Sequence, residues 1–176
     1  AVGTVLIHMQ SRPDVEAAIA GAAPSELLIA ILVAILIGGC LNAIPEEITL
    51  RRIILTPLQE RWGAGIAVGV TALMFAAMHL PTWISSEVPA QVYAFQVPEK
   101  LLFGLVAGWS VVRLRSLFFA LGMHLGGNLV GVFLDTVTPD DGWTSLTWDS
   151  AILTGTEFAL CALLVAYLGK RRISTD

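Results

Sequence analysis

Acidic and imidazole side chains occur at three separate places in a strongly apolar sequence. Glu46 and Glu47 follow a long apolar run, and His79 and His124 each lie in a later one. An ionisable group inside a bilayer is costly unless it has a partner or a task. Carboxylates and imidazoles are also the usual carriers of protons in general acid–base catalysis. Their recurrence therefore points to a proton-transfer or hydrolytic site.

The spacing of these groups predicts how they lie on helices. Glu47 and Arg51 are four residues apart, which places them on one helix face in the favourable order for an ion pair. Glu46 is rotated by about 100° from that pair, so it is expected to point elsewhere. His124 and Asn128 are also four apart, among several glycines that allow neighbouring helices to approach closely. We expect both to face other helices.

Each group taken alone has an ordinary structural explanation. Two adjacent acids can mark a charged helix end, and a lone histidine near a helix end is usually an interfacial or core group. Histidine and asparagine one turn apart can form hydrogen bonds between helices. Glu157, inside the last apolar segment, has no assigned chemistry. Because the whole set on separate helices is expensive to keep in a membrane, we favour a functional site.

The composition indicates a membrane protein. Of 176 residues, 56% are hydrophobic and 14% are charged, whereas soluble domains carry about 25% charged residues. The pattern predicts an all-α, polytopic transmembrane helix bundle of about five membrane helices plus a possible interfacial helix. The predicted spans are Leu27–Ile44, Ala64–Leu80, Leu101–Val112, Leu117–Leu134 and Ala151–Leu168. No basic patch interleaved with aromatic residues suggests a nucleic-acid partner.

Two prolines suggest helix boundaries. Pro45 is expected to kink or break the first span, after which residues 46–61 either continue it or lie along the interface up to Gly63. Pro98 suits a first helical turn, so the short span is expected to begin there. Counted from the cytoplasmic ends, His79 lies about 24 Å deep and His124 about 10 Å. The sequence leaves open how they meet and which leaflet the site faces.

Charges at the predicted helix ends indicate an orientation. Most Lys and Arg residues fall at one set of ends, and the other set is mainly acidic, with Glu99 and Lys100 assigned to it. Lys and Arg mark the cytoplasmic side, and Trp favours the interface. We therefore expect a multi-pass integral membrane protein whose N-terminal side is extracytoplasmic and whose C-terminus is cytoplasmic. Trp83, Trp143 and Trp148 would lie at the outer interface.

The polar residues form three motifs in a fixed order. They are Glu-Glu-x-x-x-Arg at 46–51, Phe-x-x-x-His at 75–79 and His-x-x-x-Asn at 124–128. On a polytopic protein, this order resembles the CAAX protease and bacteriocin-processing (CPBP or Abi) family of intramembrane proteases. The family commonly has Phe and then Arg-Gly at the end of the first motif, where this chain has Leu50-Arg51-Arg52. The resemblance covers about half the chain, residues 45–132.

The resemblance implies an intramembrane endopeptidase that hydrolyses a peptide bond of a membrane-associated or lipidated substrate. Glu46 would be the general base and His79 its partner on the water, while His124 and Asn128 would bind the oxyanion. The supporting residues would be Glu47, Arg51 and Phe75. Family members usually have further helices ahead of the first motif. Residues 1–24 are thus expected to be an extracytoplasmic segment or a remnant of such a helix, residues 25–172 the protease core, and residues 173–176 a cytoplasmic tail.

The resemblance leaves the cofactor and the substrate open. A mechanism without a cofactor is favoured, because neither histidine motif is the His-Glu-x-x-His of soluble zinc proteases. Zinc held by Glu46, His79 and His124 stays an alternative, since these are ligands that zinc accepts. Prenylated C-terminal peptides, bacteriocin leaders and membrane-anchored regulators are all candidate substrates. The alternative function is a non-enzymatic membrane bundle, proton-coupled and transporter-like or partner-binding.

Overall fold

The computed structural model describes residue 17 and residues 19–85, 90–137 and 148–173. From Pro24 onward these residues form six helices, and no strand occurs among them. The helices are α1 (Pro24–Trp62), α2 (Ala64–Met78), α3 (Leu80–Ser85), α4 (Ala90–Leu114), α5 (Phe118–Val137) and α6 (Trp148–Ile173). The all-α prediction is confirmed for the described residues. The predictions for residues 1–16, the side chains of Trp83 and Trp148, all of Trp143, and the tail from residue 174 fall outside them.

Helix α1 runs through the proline that was expected to interrupt it. Pro45 lies between two π-helical stretches, Ala34–Ala43 and Ile48–Ile54, and the Ile44 N–H donates to the Gly39 carbonyl five residues back. Proline removes an ordinary i−4 hydrogen bond, and wider π turns replace that pattern with i−5 bonds. The helix does not break at Pro45, and the alternative in which residues 46–61 continue the first helix is confirmed. The two glutamates lie about 33 Å along a helix of about 58 Å, deep within the bundle.

Helix α1 ends at the predicted glycine. Gly63 has a φ of 82°, in the region where glycine carries no steric cost. The chain reverses there, and α2 packs back against the last turns of α1. Among the described residues, α1 is the one helix long and apolar enough to cross a membrane, while Ala64–Met78 and Phe118–Phe133 are shorter apolar helices. The number of membrane crossings stays a prediction.

Helices α2 and α4 pack closely through small residues. A Cβ added at Gly104 would lie 2.7 Å from the Cα of Ala72, and one added at Gly108 would lie 3.3 Å from Val68 Cγ1. The residue numbers rise from 104 to 108 along α4 while those of their partners fall from 72 to 68 along α2, so the two helices are antiparallel. Glycines spaced by four residues allow this close approach. Phe75 of α2 and Phe103 of α4 lie beside this contact and pack against each other in the core.

The bounds of two other helices differ from the prediction. Helix α4 begins at Ala90 rather than at Pro98, which lies inside the helix. Membrane helices tolerate interior proline because neighbouring groups can satisfy the freed carbonyl. Glu99 and Lys100 consequently lie within α4, and their assignment to a helix end is wrong. The second predicted span is also too long, because α2 ends at Met78 and a separate helix, α3, follows.

Helix α5 packs on a face of α1 that is lined by small residues. Ala30, Ala34 and Gly38 are buried at intervals of four residues, and a Cβ at Gly38 would lie 3.0 Å from the Asn128 carbonyl oxygen. Large apolar side chains such as Leu32 and Leu36 cover the exposed side of α1. Helix α4 completes the bundle by contacting α2, α5 and α6. The three motif helices α1, α2 and α5 therefore surround one region.

Candidate active site

An ion pair buried within α1 anchors the first motif. Arg51 Nε donates to Glu47 Oε2 over 3.0 Å, and both side chains are fully buried. The predicted pairing of these two residues is confirmed. The Arg51 guanidinium carbon also lies 5.9 Å from the centroid of the Phe75 ring. Within the described part of the chain, its two terminal nitrogens have no hydrogen-bond partner. Glu47 is therefore the only described carboxylate bound to this buried cation.

His124 joins the two adjacent acids across helices. Its Nδ1 lies 3.1 Å from Glu47 Oε1, and its Nε2 lies 3.7 Å from Glu46 Oε2. An ionised carboxylate only accepts hydrogen bonds. His124 therefore donates this bond, and a proton is assigned to its Nδ1. Glu47 therefore binds both Arg51 and His124. The imidazole is held with its other nitrogen directed towards Glu46.

Glu46 differs from its neighbour in access and in partners. Its side chain is 19% exposed, whereas Glu47 is fully buried. Its Oε2 atom is buried and has no hydrogen-bond partner among the described residues, so the exposed part of the side chain lies at its other atoms. A general base must be within reach of the group that it deprotonates. Of the two acids, Glu46 is the one whose side chain is partly open.

His79 lies at the end of α2 and is oriented by its own helix. Its Nδ1 is 2.8 Å from the Phe75 carbonyl oxygen, and a carbonyl can only accept, so Nδ1 carries the proton. In the neutral ring, Nε2 is then the acceptor. The Phe75 ring centroid lies 4.9 Å from that of His79 and 5.4 Å from that of His124. One aromatic side chain thus contacts both imidazoles.

Asn128 lies one turn beyond His124 on α5. Its Nδ2 donates to the Gly38 carbonyl of α1 over 3.0 Å. This bond fixes the amide against the π-helical part of α1 and uses one of its two hydrogens. The pairing of this amide with His124 at an oxyanion stays a prediction. The structure shows a hydrogen bond between helices that engages one of the two amide hydrogens.

Three further residues near the cluster belong to no motif. The Phe103 ring lies 4.8 Å from Phe75 and 4.9 Å from His124, and Phe158 of α6 lies 6.3 Å behind it. The charge of Lys100 also acts on both Glu46 and His79. The spacing Gly104-x-x-x-Gly108 was the available signal for close packing at Phe103. A lysine inside an apolar helix was the signal for Lys100.

The donor atoms do not form a metal site. Among the described residues, no group of three His, Cys, Asp or Glu side chains could hold a metal ion. In the set predicted for zinc, the Nδ1 atoms of His124 and His79 face Glu47 and a backbone carbonyl. Such contacts are also usual for histidines that bind a metal through Nε2, so it is the spacing of the donor atoms that does not fit zinc held by Glu46, His79 and His124.

A helical bundle with a carboxylate–imidazole cluster between its helices can carry out proton transfer inside a membrane. Residues 27–130 match the family model described as type II CAAX prenyl endopeptidase Rce1-like. The match spans more than half the chain and includes all three motifs. The chain therefore belongs to this family of CAAX membrane proteases, which confirms the resemblance found in its sequence. No curated protein and no solved structure matches the chain.

Proposed function

We propose that the protein is an intramembrane endopeptidase that cleaves prenylated, membrane-associated CAAX substrates through a water activated by Glu46. The observation that carries this proposal is the contrast between the paired acids. Glu47 is fully buried and bound to Arg51 and His124, while the Glu46 side chain is 19% exposed and its buried Oε2 lies 3.7 Å from His124 Nε2 with no hydrogen-bond partner among the described residues. The description of the matched family supports the substrate class.

The proposed chemistry begins with proton transfer. Glu46 takes a proton from water as the water oxygen bonds to the scissile carbonyl carbon, giving a tetrahedral oxyanion. His79 orients the same water, because its Nδ1–H is held by the Phe75 carbonyl and Nε2 can accept a hydrogen bond. The carbon–nitrogen bond then breaks. Glu46 returns the proton to the departing nitrogen, so the carboxylate is regenerated.

The remaining motif residues are proposed to stabilise charge and position the acids. His124 lies with Nε2 beside Glu46, so a proton on that nitrogen would be within reach of an oxyanion formed there. Asn128 retains a second amide hydrogen for the same oxygen. One such donor typically contributes about 10²–10³ in rate. Glu47 and Arg51 hold His124 and this part of α1 in place.

We also propose the predicted membrane orientation and take residues 25–172 as the protease core. Arg113 near the end of α4 packs directly against Gly169 near the end of α6, and Lys170 follows it. Basic residues from two helices thus gather at one end of the bundle. Such enrichment is typical of the cytoplasmic side, which supports a cytoplasmic C-terminus.

The test is cleavage of a prenylated CAAX peptide by the purified protein in lipid nanodiscs. We expect Glu46→Ala and His79→Ala each to abolish cleavage while circular dichroism shows an unchanged helical fold. Either variant with full activity would contradict the role proposed for that residue. The alternative, a non-enzymatic membrane bundle, predicts that the wild-type protein hydrolyses no peptide.

A further inference from the structure

An ion pair inside α4 is not explained by the proposed mechanism. Lys100 Nζ lies 3.3 Å from Glu99 Oε1, and the two side chains are 26% and 32% exposed. Adjacent residues on a helix do not face each other, and a partly exposed ion pair of this kind contributes little to stability. A charge in a membrane helix usually has a function. Lys100 is therefore a candidate for ligand binding.

The helix register places Lys100 beside the proposed site. Gly104 of α4 packs on Ala72 of α2, and Gly108 packs on Val68. Continuing this antiparallel register by one turn sets Lys100 level with Ala76, three residues before His79. The ammonium is also close enough to Glu46 and His79 for a minor Coulomb interaction with each. The helix register therefore places Lys100 near the groups proposed to hold the water.

Two other described cations are less suited to meet a ligand there. Arg51 is fully buried and bound to Glu47. Arg113 lies thirteen residues further along α4, about 20 Å away along the helix axis. Lys100 is partly exposed, and an ammonium offers three hydrogen-bond donors. It can therefore bind an anion while it keeps its contact with Glu99.

We propose that Lys100 binds the free C-terminal carboxylate of the substrate. The inference rests on the proposed function, because a CAAX motif stands at the C-terminus. Cleavage within that motif leaves the carboxylate at most three residues from the scissile bond, about 10 Å in an extended chain. A carboxylate that leaves water needs a cationic partner. Before substrate arrives, Glu99 pairs with the lysine.

The test compares two prenylated CAAX peptides that differ only at the C-terminus, one a free acid and the other a carboxamide. We expect the wild-type enzyme to cleave the acid with a kcat/KM about ten- to a hundredfold higher, as for one charged hydrogen bond. Lys100→Met should remove this preference, so that the acid and the amide are cleaved with similar kcat/KM. Lys100→Arg should keep most of it.

The control is Lys170→Met, the same substitution at the chain's other lysine, which is exposed. It should retain the wild-type preference for the acid. Equal cleavage of both peptides by the wild-type enzyme would overturn the proposal, even if Lys100→Met failed to fold. A preference that survived in Lys100→Met would also overturn it. A wild-type protein that cleaved neither peptide would instead contradict the proposed function and, with it, this inference.

Discussion

The two adjacent glutamates should respond very differently to the same isosteric substitution. Glu46→Gln removes the proposed base but no described hydrogen bond to Oε2. We expect the rate of peptide cleavage to fall by about 10²–10⁴, the usual contribution of a general base. The free energy of unfolding should change by less than about 1 kcal/mol. Loss of activity without loss of stability is the expected signature of Glu46.

Glu47→Gln should act first on stability. It removes the only described carboxylate bound to Arg51, at a place where both side chains are fully buried. Breaking a buried ion pair by removing one partner typically costs about 3–5 kcal/mol, because the other charge is left uncompensated. Replacing both partners is often nearly neutral. The double variant Glu47→Gln/Arg51→Met should therefore recover much of the stability lost in Glu47→Gln.

The assay is equilibrium unfolding in mixed detergent micelles, followed by circular dichroism, with peptide cleavage measured on the same samples. The difference between the two single variants is the decisive quantity. Equal destabilisation by Glu46→Gln and Glu47→Gln would refute the division of roles between the acids. So would a Glu47→Gln protein as stable as the wild type.

Three further outcomes follow from the packing of the site. Gly104→Ala should lower the unfolding free energy by about 1–3 kcal/mol, because the added methyl group overpacks against α2. The control is Gly122→Ala, whose added Cβ would meet nothing within 4 Å and should raise the unfolding free energy by up to about 1 kcal/mol. Equal effects of the two substitutions would contradict this packing. Phe103→Leu should lower kcat by up to about tenfold with KM unchanged, because one aromatic contact to His124 is lost. Phe158→Leu, one ring further away, is its control and should show a smaller effect. Asn128→Ala should slow cleavage by about 10²–10³, and an unchanged rate would remove this residue from the proposed oxyanion site.

Much of the helical framework could be predicted from the sequence, because apolar runs and glycine boundaries are local signals. The end of α1 at Gly63 and the ion pair between Glu47 and Arg51 follow from φ preference and helical spacing. Each depends on residues close together in the chain. The three motifs also indicated which helices would meet. Their order indicated the same family whose model matches residues 27–130.

The other features of the fold and the site depend on contacts between helices, and the hydrophobic periodicity of a single helix does not predict such contacts. The i−5 hydrogen bonds that carry α1 past Pro45 leave no mark in hydrophobic spacing. The bond from Asn128 to Gly38 and the position of His124 between two acids follow from the relative register of α1 and α5. The prediction places Lys100 at a helix end because Pro98 suits a first helical turn. In the structure, Pro98 lies inside α4, as membrane helices can tolerate.

The central claim is that Glu46 activates a water for peptide hydrolysis, and heavy-oxygen labelling during a single turnover tests it most directly. A prenylated CAAX peptide is cleaved in water labelled with heavy oxygen, and the shortened product is analysed by mass spectrometry. The account predicts one heavy oxygen in the new carboxylate for the wild-type enzyme, and almost no product for Glu46→Gln. Unlabelled wild-type product, or labelled product formed by Glu46→Gln at the wild-type rate, would contradict it.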